Sequence, residues 1–273
     1  MIKDVPMKLS PFRLETLEQQ MDEIKRGSNS PIVTNYFKQP LTGRLILGTH
    51  SECTALFIND DMDFYRLYFY SSDLVELAEL LRRTDFPASV VSSYIAKELD
   101  PRVEGAFQDA GFTDHAVFVR LVNYELRVYE KNSRLQFAEP NDLKPLWYLL
   151  MEFDRYTDYF PKQAALLDLI KKRQVILNRK NGTIKGYIIF RVMGSKVNFN
   201  YFYNRSDDPR DSLMLLHNFY AILHERGIKS GVQWNNLKNV RVRELHRQFG
   251  WKEEATKAFF YLKEKETVDS SIE

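Results

Sequence analysis

Asn239-Val240-Arg241-Val242-Arg243-Glu244-Leu245-His246-Arg247-Gln248-Phe249-Gly250-Trp251 decides how this chain is read. It has the form N-x-x-V-x-x-x-H-x-x-x-G-W. The Asn can cap a short helix, and the Gly ends that helix before an aromatic residue. A strand-like run ending in Gln233-Trp234-Asn235-Asn236 precedes it, and a second run, Ala258 to Leu262, follows.

The same layout occurs upstream. Asp100-Pro101-Arg102-Val103 opens a short helical stretch carrying Phe107, Gly111-Phe112 closes it, and the strand-like run Ala116 to Leu121 follows. Other landmarks recur in the same order: Leu45-Ile46-Leu47 with Val175-Ile176-Leu177, and Tyr68-Phe69-Tyr70 with Tyr201-Phe202-Tyr203. Spacings this large exceed those of solenoid repeats, so they point to two whole domains. We expect residues 1–130 and 131–273, with Lys131 to Arg134 as linker and a polar tail after Lys263. Strand and helix signals alternate in both. The expected class is therefore α/β (α+β layered), each domain a mixed, mostly antiparallel sheet flanked by helices. Asn181-Gly182 signals a hairpin, and Gly227 sits where the helix Leu213 to Glu225 must end.

The Asn239–Leu262 pattern resembles the C-terminal signature of the GNAT acetyltransferase superfamily: a strand, an Asn, a short helix carrying a Tyr, then Gly-aromatic and a last strand. The duplicated layout then resembles tandem acyl-CoA N-acyltransferase-like domains. The resemblance implies acyl transfer from a CoA thioester to the amine of a small molecule or sugar, performed by residues 131–273. The family's Tyr position holds His246 here, and Phe107 in the first copy. Phe107 cannot donate a proton, so the first copy is expected to be non-catalytic. Two readings stand for His246: the acid that protonates a leaving thiolate, or a half-buried polar residue with one hydrogen bond.

In the family the donor's pyrophosphate lies in a loop of the form Arg/Gln-x-x-Gly-x-Gly/Ala. Glycines there let backbone N–H groups approach it at a helix N-terminus. The matching segment, Asn204 to Ser212, keeps Arg205 but has no Gly, and it carries Pro209 and three Asp residues. Arg205 and Arg210 are the expected phosphate contacts, set against a charged turn that caps the next helix. Trp234, Asn235 and Asn239 are expected along the thioester arm, although capping alone explains an Asn at position 239. Trp147, Tyr156, Tyr159 and Tyr201 are the candidate acceptor site, set against core packing around Pro161. The strand Val197 to Tyr203 has no acid to serve as base. By strict alternation it places Asn198 and Asn200 on one face and Tyr201 and Tyr203 on the other. Glu152, Asp154 and Asp158 read either as a cation site or as a solvated helix face.

Two rivals follow from the departures. One is a catalytically inactive relative that serves as a binding or scaffold protein. The other is a tandem transferase with another activated donor, such as an aminoacyl-tRNA. With 39 Lys+Arg against 37 Asp+Glu and no basic stripe, nucleic acid is not the expected partner. No Cys/His spacing signals a metal. The single Cys53 excludes an internal disulfide and suits a reducing compartment. No apolar run approaches the roughly 20 residues of a membrane span, and no secretory leader is evident, so a cytoplasmic protein is expected.

Overall fold

The computed structural model describes residues 7–11, 13–37, 46–131 and 136–265. The expected linker residues 132–134, most of the expected tail, and Leu45 of the run Leu45-Ile46-Leu47 lie outside these. The described residues form two compact units. One contains the chain up to Val117 together with residues from Thr256 on; the other is Phe118–Ala255. The expected cut near residue 130 thus falls inside the second unit.

The first unit has helix α1 (Leu14–Gly27), strands β1 (Ile46–His50), β2 (Thr54–Asp61) and β3 (Phe64–Ser71), helix α2 (Leu74–Arg83), β4 (Val90–Ala96), helix α3 (Pro101–Asp109) and the start of β5 (Thr113–Asn123). Ser10-Pro11, whose Ser-Pro pattern predicts a helix start, pairs instead as a short strand with β1. β1, β2 and β3 form an antiparallel meander, and α2 carries the chain over to β4, which runs parallel to β3. Alternation along β2 sends Leu56 and Ile58 to α2 and α3, and Ala55 and Phe57 to α1. The sheet is closed by residues from the far end of the chain: Lys257 to Lys263 pair antiparallel with Ala96 to Val90.

The second unit repeats this plan. Helices α4 (Leu143–Leu150) and α5 (Gln163–Lys171) precede the meander β6 (Val175–Lys180), β7 (Thr183–Met193) and β8 (Lys196–Asn204). The β6–β7 turn is Asn181-Gly182, both at positive φ, as expected of a tight hairpin. Helix α6 (Pro209–Glu225) crosses to β9 (Ser230–Asn236), which runs parallel to β8. Helix α7 (Val240–Gln248) and β10 (Lys252–Lys263) follow. Here the closing strand is residues 118–123, antiparallel to β9. One face of the sheet packs on α6 through Ile188, Phe190, Phe199, Leu216 and Phe219. The other packs on α4 and α5 through Tyr187, Ile189, Leu146 and Leu166.

α3 and α7 end alike. Gly111 and Gly250 are left-handed, at φ 81° and 87°. Behind them the N–H groups of Phe112 and Trp251 reach back to the carbonyls of Phe107 (3.0 Å) and His246 (3.2 Å). A residue with a Cβ resists that conformation, which is why Gly recurs at both positions.

Candidate functional site

β8 and β9 are in register over only three pairs, Lys196↔Ser230, Val197↔Gly231 and Asn198↔Val232. Beyond Asn198 the two strands have no pairing. The close start of this pair depends on Gly231, where a Cβ would stand 2.8 Å from Val197 Cγ1 and 2.9 Å from Trp251 Cη2. Past it, β8 carries a bulge: Ile189 pairs with Tyr201 and Phe190 with Phe199, leaving Asn200 without a partner. The extra residue shifts the phase of the strand. Phe199 and Phe202 therefore pack toward α6, and Tyr201 and Tyr203 toward α4 and α5. Strict alternation, as expected from the sequence, fails at this residue.

Two cavities lie where the strands part. One, of about 340 Å³, is lined by Phe199 to Phe202 of β8, Gln233 to Asn236 of β9, His246, Asn239 and Val242 of α7, and Glu152, Phe153, Asp154 and Asp158. The other, of about 890 Å³, runs between the start of α6 and α7, past Tyr203, Ser206, Asp207, Leu213, Arg241 and Leu245. Phe153, Phe202, Asn239 and Val242 line both. We call the larger cavity the groove and the smaller the chamber.

The expected site residues are distributed unevenly around it. Trp234, Asn235, Tyr201, Asn239 and His246 line the chamber. Asn239 also caps α7, its Oδ1 accepting the N–H of Val242 at 3.3 Å. Trp147, Tyr156 and Tyr159 do not line either cavity. Trp147 packs into the α4/α5 core, Tyr156 is held by Arg155, and the Tyr159 carbonyl accepts the Tyr201 hydroxyl at 2.7 Å.

His246 is buried, 1% exposed, among the rings of Phe199, Phe202 and Trp251. Its Nδ1 has no hydrogen-bond partner. Burial pulls the imidazole down to about 3. Burial therefore keeps it neutral at ordinary pH. The side chain lies deeper than the half-buried reading expected. The Gln233 amide, 2% exposed, also has an Nε2 without a partner.

Four backbone donors at the start of α6 and just before it are already taken. Arg205 N–H bonds the Lys185 carbonyl, Ser206 N–H the Asn204 side chain, Asp208 N–H the Ser206 hydroxyl, and Arg210 N–H the Asp208 carboxylate that caps the helix. Pro209 has no N–H to offer. The pyrophosphate cradle of the resembling family is therefore not formed by these groups. The two arginines are also engaged: Arg210 with Asp208 at 2.8 Å, and Arg205 with Glu152 at 2.7 Å. Tyr203 donates to the same Glu152 oxygen at 2.8 Å; burial, and after it this bond, pushes its phenol up to about 12. Arg241 is the cation that lines the groove. Only its place in the first turn of α7 could have flagged it in the sequence.

Glu152, Asp154 and Asp158 were the other residues open to two readings. α4 stops at Leu150, and the turns that follow bring all three to the chamber wall. They are not a helix face.

In the first unit the equivalent opening is filled. β2 and β3 pair without a bulge. The Asn35 side chain inserts beside β3, donating to the Leu67 carbonyl and to Ser92 Oγ (both 3.0 Å) and accepting the Phe69 N–H (2.8 Å). Phe107 stacks on Tyr261 at 4.6 Å.

This chain carries the GNAT acetyltransferase fold in tandem. It is similar to a GCN5-related N-acetyltransferase from Sphaerobacter thermophilus (TM-score 0.59, 10% identity, 85% of each chain). It is also similar to a tandem GNAT protein from the clavulanic acid biosynthesis pathway (TM-score 0.54, 11% identity, 96% of this chain and 99% of that one). A third similar structure is a GNAT-family acetyltransferase from Colwellia psychrerythraea (TM-score 0.53, 10% identity, 95% and 100%). No family model and no curated protein matches the sequence. Among the described residues no cluster of acidic, His and Cys side chains is placed to hold a metal ion, and no helix is long and apolar enough to cross a membrane.

Proposed function

We propose that the second unit transfers an acyl group from a thioester, with acetyl-CoA the first donor to test, to the amine of a small molecule. The observation that carries this reading is the parting of β8 and β9 after three register pairs, with a groove and a chamber that share Phe202 and Asn239. The groove would take the donor's arm and the chamber the acceptor. Asn200, the bulged residue, offers backbone polar groups free of the β7 ladder to polarise the thioester carbonyl. The amine nitrogen bonds to the carbonyl carbon, the C–S bond breaks, and the thiolate leaves and is protonated from solvent. The proton lost by the amine passes to a chamber carboxylate, Asp154 or Asp158, directly or through water. His246 shapes the wall as a neutral imidazole. Most of the rate would come from holding two substrates in line.

One observation favours a binding protein without turnover: the backbone donors already taken at the start of α6 and just before it. Incubation with acetyl-CoA and a panel of primary amines, reading released thiol, decides between the two. Thiol release that depends on an amine supports transfer. Its absence across the panel, with acetyl-CoA unbound at millimolar concentration, overturns it.

A further inference from the structure

The groove is poor in charge. Among the described residues that line it, Arg241 is the one cation and Asp207 the one carboxylate. Phe202, Leu213 and Leu245 give it apolar surface, and the first turn of α6 reaches it through Pro209 and Ser212. A helix N-terminus is where an anion is ordinarily best held. Here the chain's own anion holds that place. The Asp208 carboxylate accepts the Arg210 N–H at 2.9 Å and pairs with the Arg210 guanidinium at 2.8 Å. These bonds hold its carboxyl below the usual carboxylate range, so it stays ionised. The Asp211 N–H goes to the Asp208 carbonyl at 3.0 Å, and Pro209 has none. From Pro209 to Asp211 the turn therefore has no N–H left for a diphosphate. A diphosphate would instead meet Asp207 and Asp208, whose charge repels it. The nearby Arg205 is paired with Glu152 and lies outside the groove lining.

We propose that the donor is recognised by its pantetheine arm and a single phosphate taken by Arg241, and that the nucleotide of coenzyme A adds no binding of its own. A phosphopantetheine thioester without the nucleotide is then as good a ligand as acetyl-CoA. This rests on the acyl-transfer reading for the choice of a thioester arm, but not for how the groove meets charge. A phosphate taken from water without a compensating partner loses affinity, and Arg241 can serve only one end of a long donor.

Calorimetry on the full chain, with no amine present, tests it by comparing acetyl-CoA, S-acetyl-phosphopantetheine and S-acetyl-pantetheine. Acetyl-CoA should bind no more than about threefold tighter than S-acetyl-phosphopantetheine, and S-acetyl-pantetheine about tenfold more weakly than either. Arg241→Ala should erase most of that last difference. A larger preference for acetyl-CoA, no loss on removing the phosphate, no binding of any of the three, or a folded Arg241→Ala variant that keeps the full difference overturns the proposal. The comparison on the native chain stands even if the variant misfolds. Binding in the expected order, with no amine-dependent thiol release from any donor, would sink acyl transfer and leave this mode of recognition. Amine-dependent thiol release with a strong preference for acetyl-CoA would do the reverse.

Discussion

Phe107 and His246 hold the same position in the two copies, each four residues before a left-handed glycine, each with a carbonyl that accepts the N–H of the aromatic residue after it. Their surroundings differ. Phe107 stacks flat on Tyr261, 5° from parallel, whereas His246 meets Phe199 edge-on and borders a cavity. One copy has closed over this point and the other has kept it open.

The imidazole of His246 titrates near 3 in the folded chain, against about 6.5 unfolded. The unfolded chain therefore binds more protons between these values. Stability is fully present above about pH 6.5 and falls as pH drops toward 3, by about 1.4 kcal/mol per unit from this group alone. Urea unfolding of His246→Phe between pH 4 and 7 should show a flatter dependence than the native chain. Equal slopes would mean that the imidazole is not buried as described.

Arg241 lines the groove, while Arg210 is held by Asp208. Arg241→Ala should weaken acetyl-CoA binding about tenfold, of the order of one charge-assisted contact. Arg210→Ala should change it by less than about twofold, because an exposed local pair contributes little. Calorimetry on both variants checks the ranking, and the reverse order would place the phosphates at the start of α6.

Gly231→Ala would force a Cβ against Val197 and Trp251. We expect about 1–3 kcal/mol of destabilisation from overpacking, with a change in Trp251 fluorescence. Unchanged stability would mean that β8 and β9 can separate there without cost.

Ending the chain after Ala255 removes the partners of residues 90–96 and the buried side chains of Phe260, Tyr261 and Leu262. Residues 1–130 made alone should likewise lack a complete sheet and show little protection from hydrogen exchange in β4. A peptide covering residues 252–265 should restore it. A fully protected 1–130 fragment would show that the sheet closes without that strand.

The sequence made the plan legible where local chemistry decides it. Asn181-Gly182, Gly227, and the paired Gly111 and Gly250 mark their turns, and the meanders show in β-branched and aromatic runs. It did not show which sheet residues 257–263 or 118–123 would close, since an apolar strand carries no mark of its partner edge. It also hid the bulge at Asn200, because one unpaired residue alters no composition, only phase. The acids of 152–158 could be read as a helix face because no Gly or Pro stands between Leu150, where the helix stops, and Pro161. Asp208 and Pro209 were readable as the start of a helix; that their neighbours use up the backbone donors was not.

The closing strand of the first unit also sets the order in which the protein can be finished. A ribosome delivers β1 to β4 long before residue 263 exists, so the first unit waits, one edge open, through the synthesis of the whole second unit. A stretch translated after the whole second unit completes the first sheet begun. The interval in which that edge is bare is when the chain is most exposed to wrong pairing.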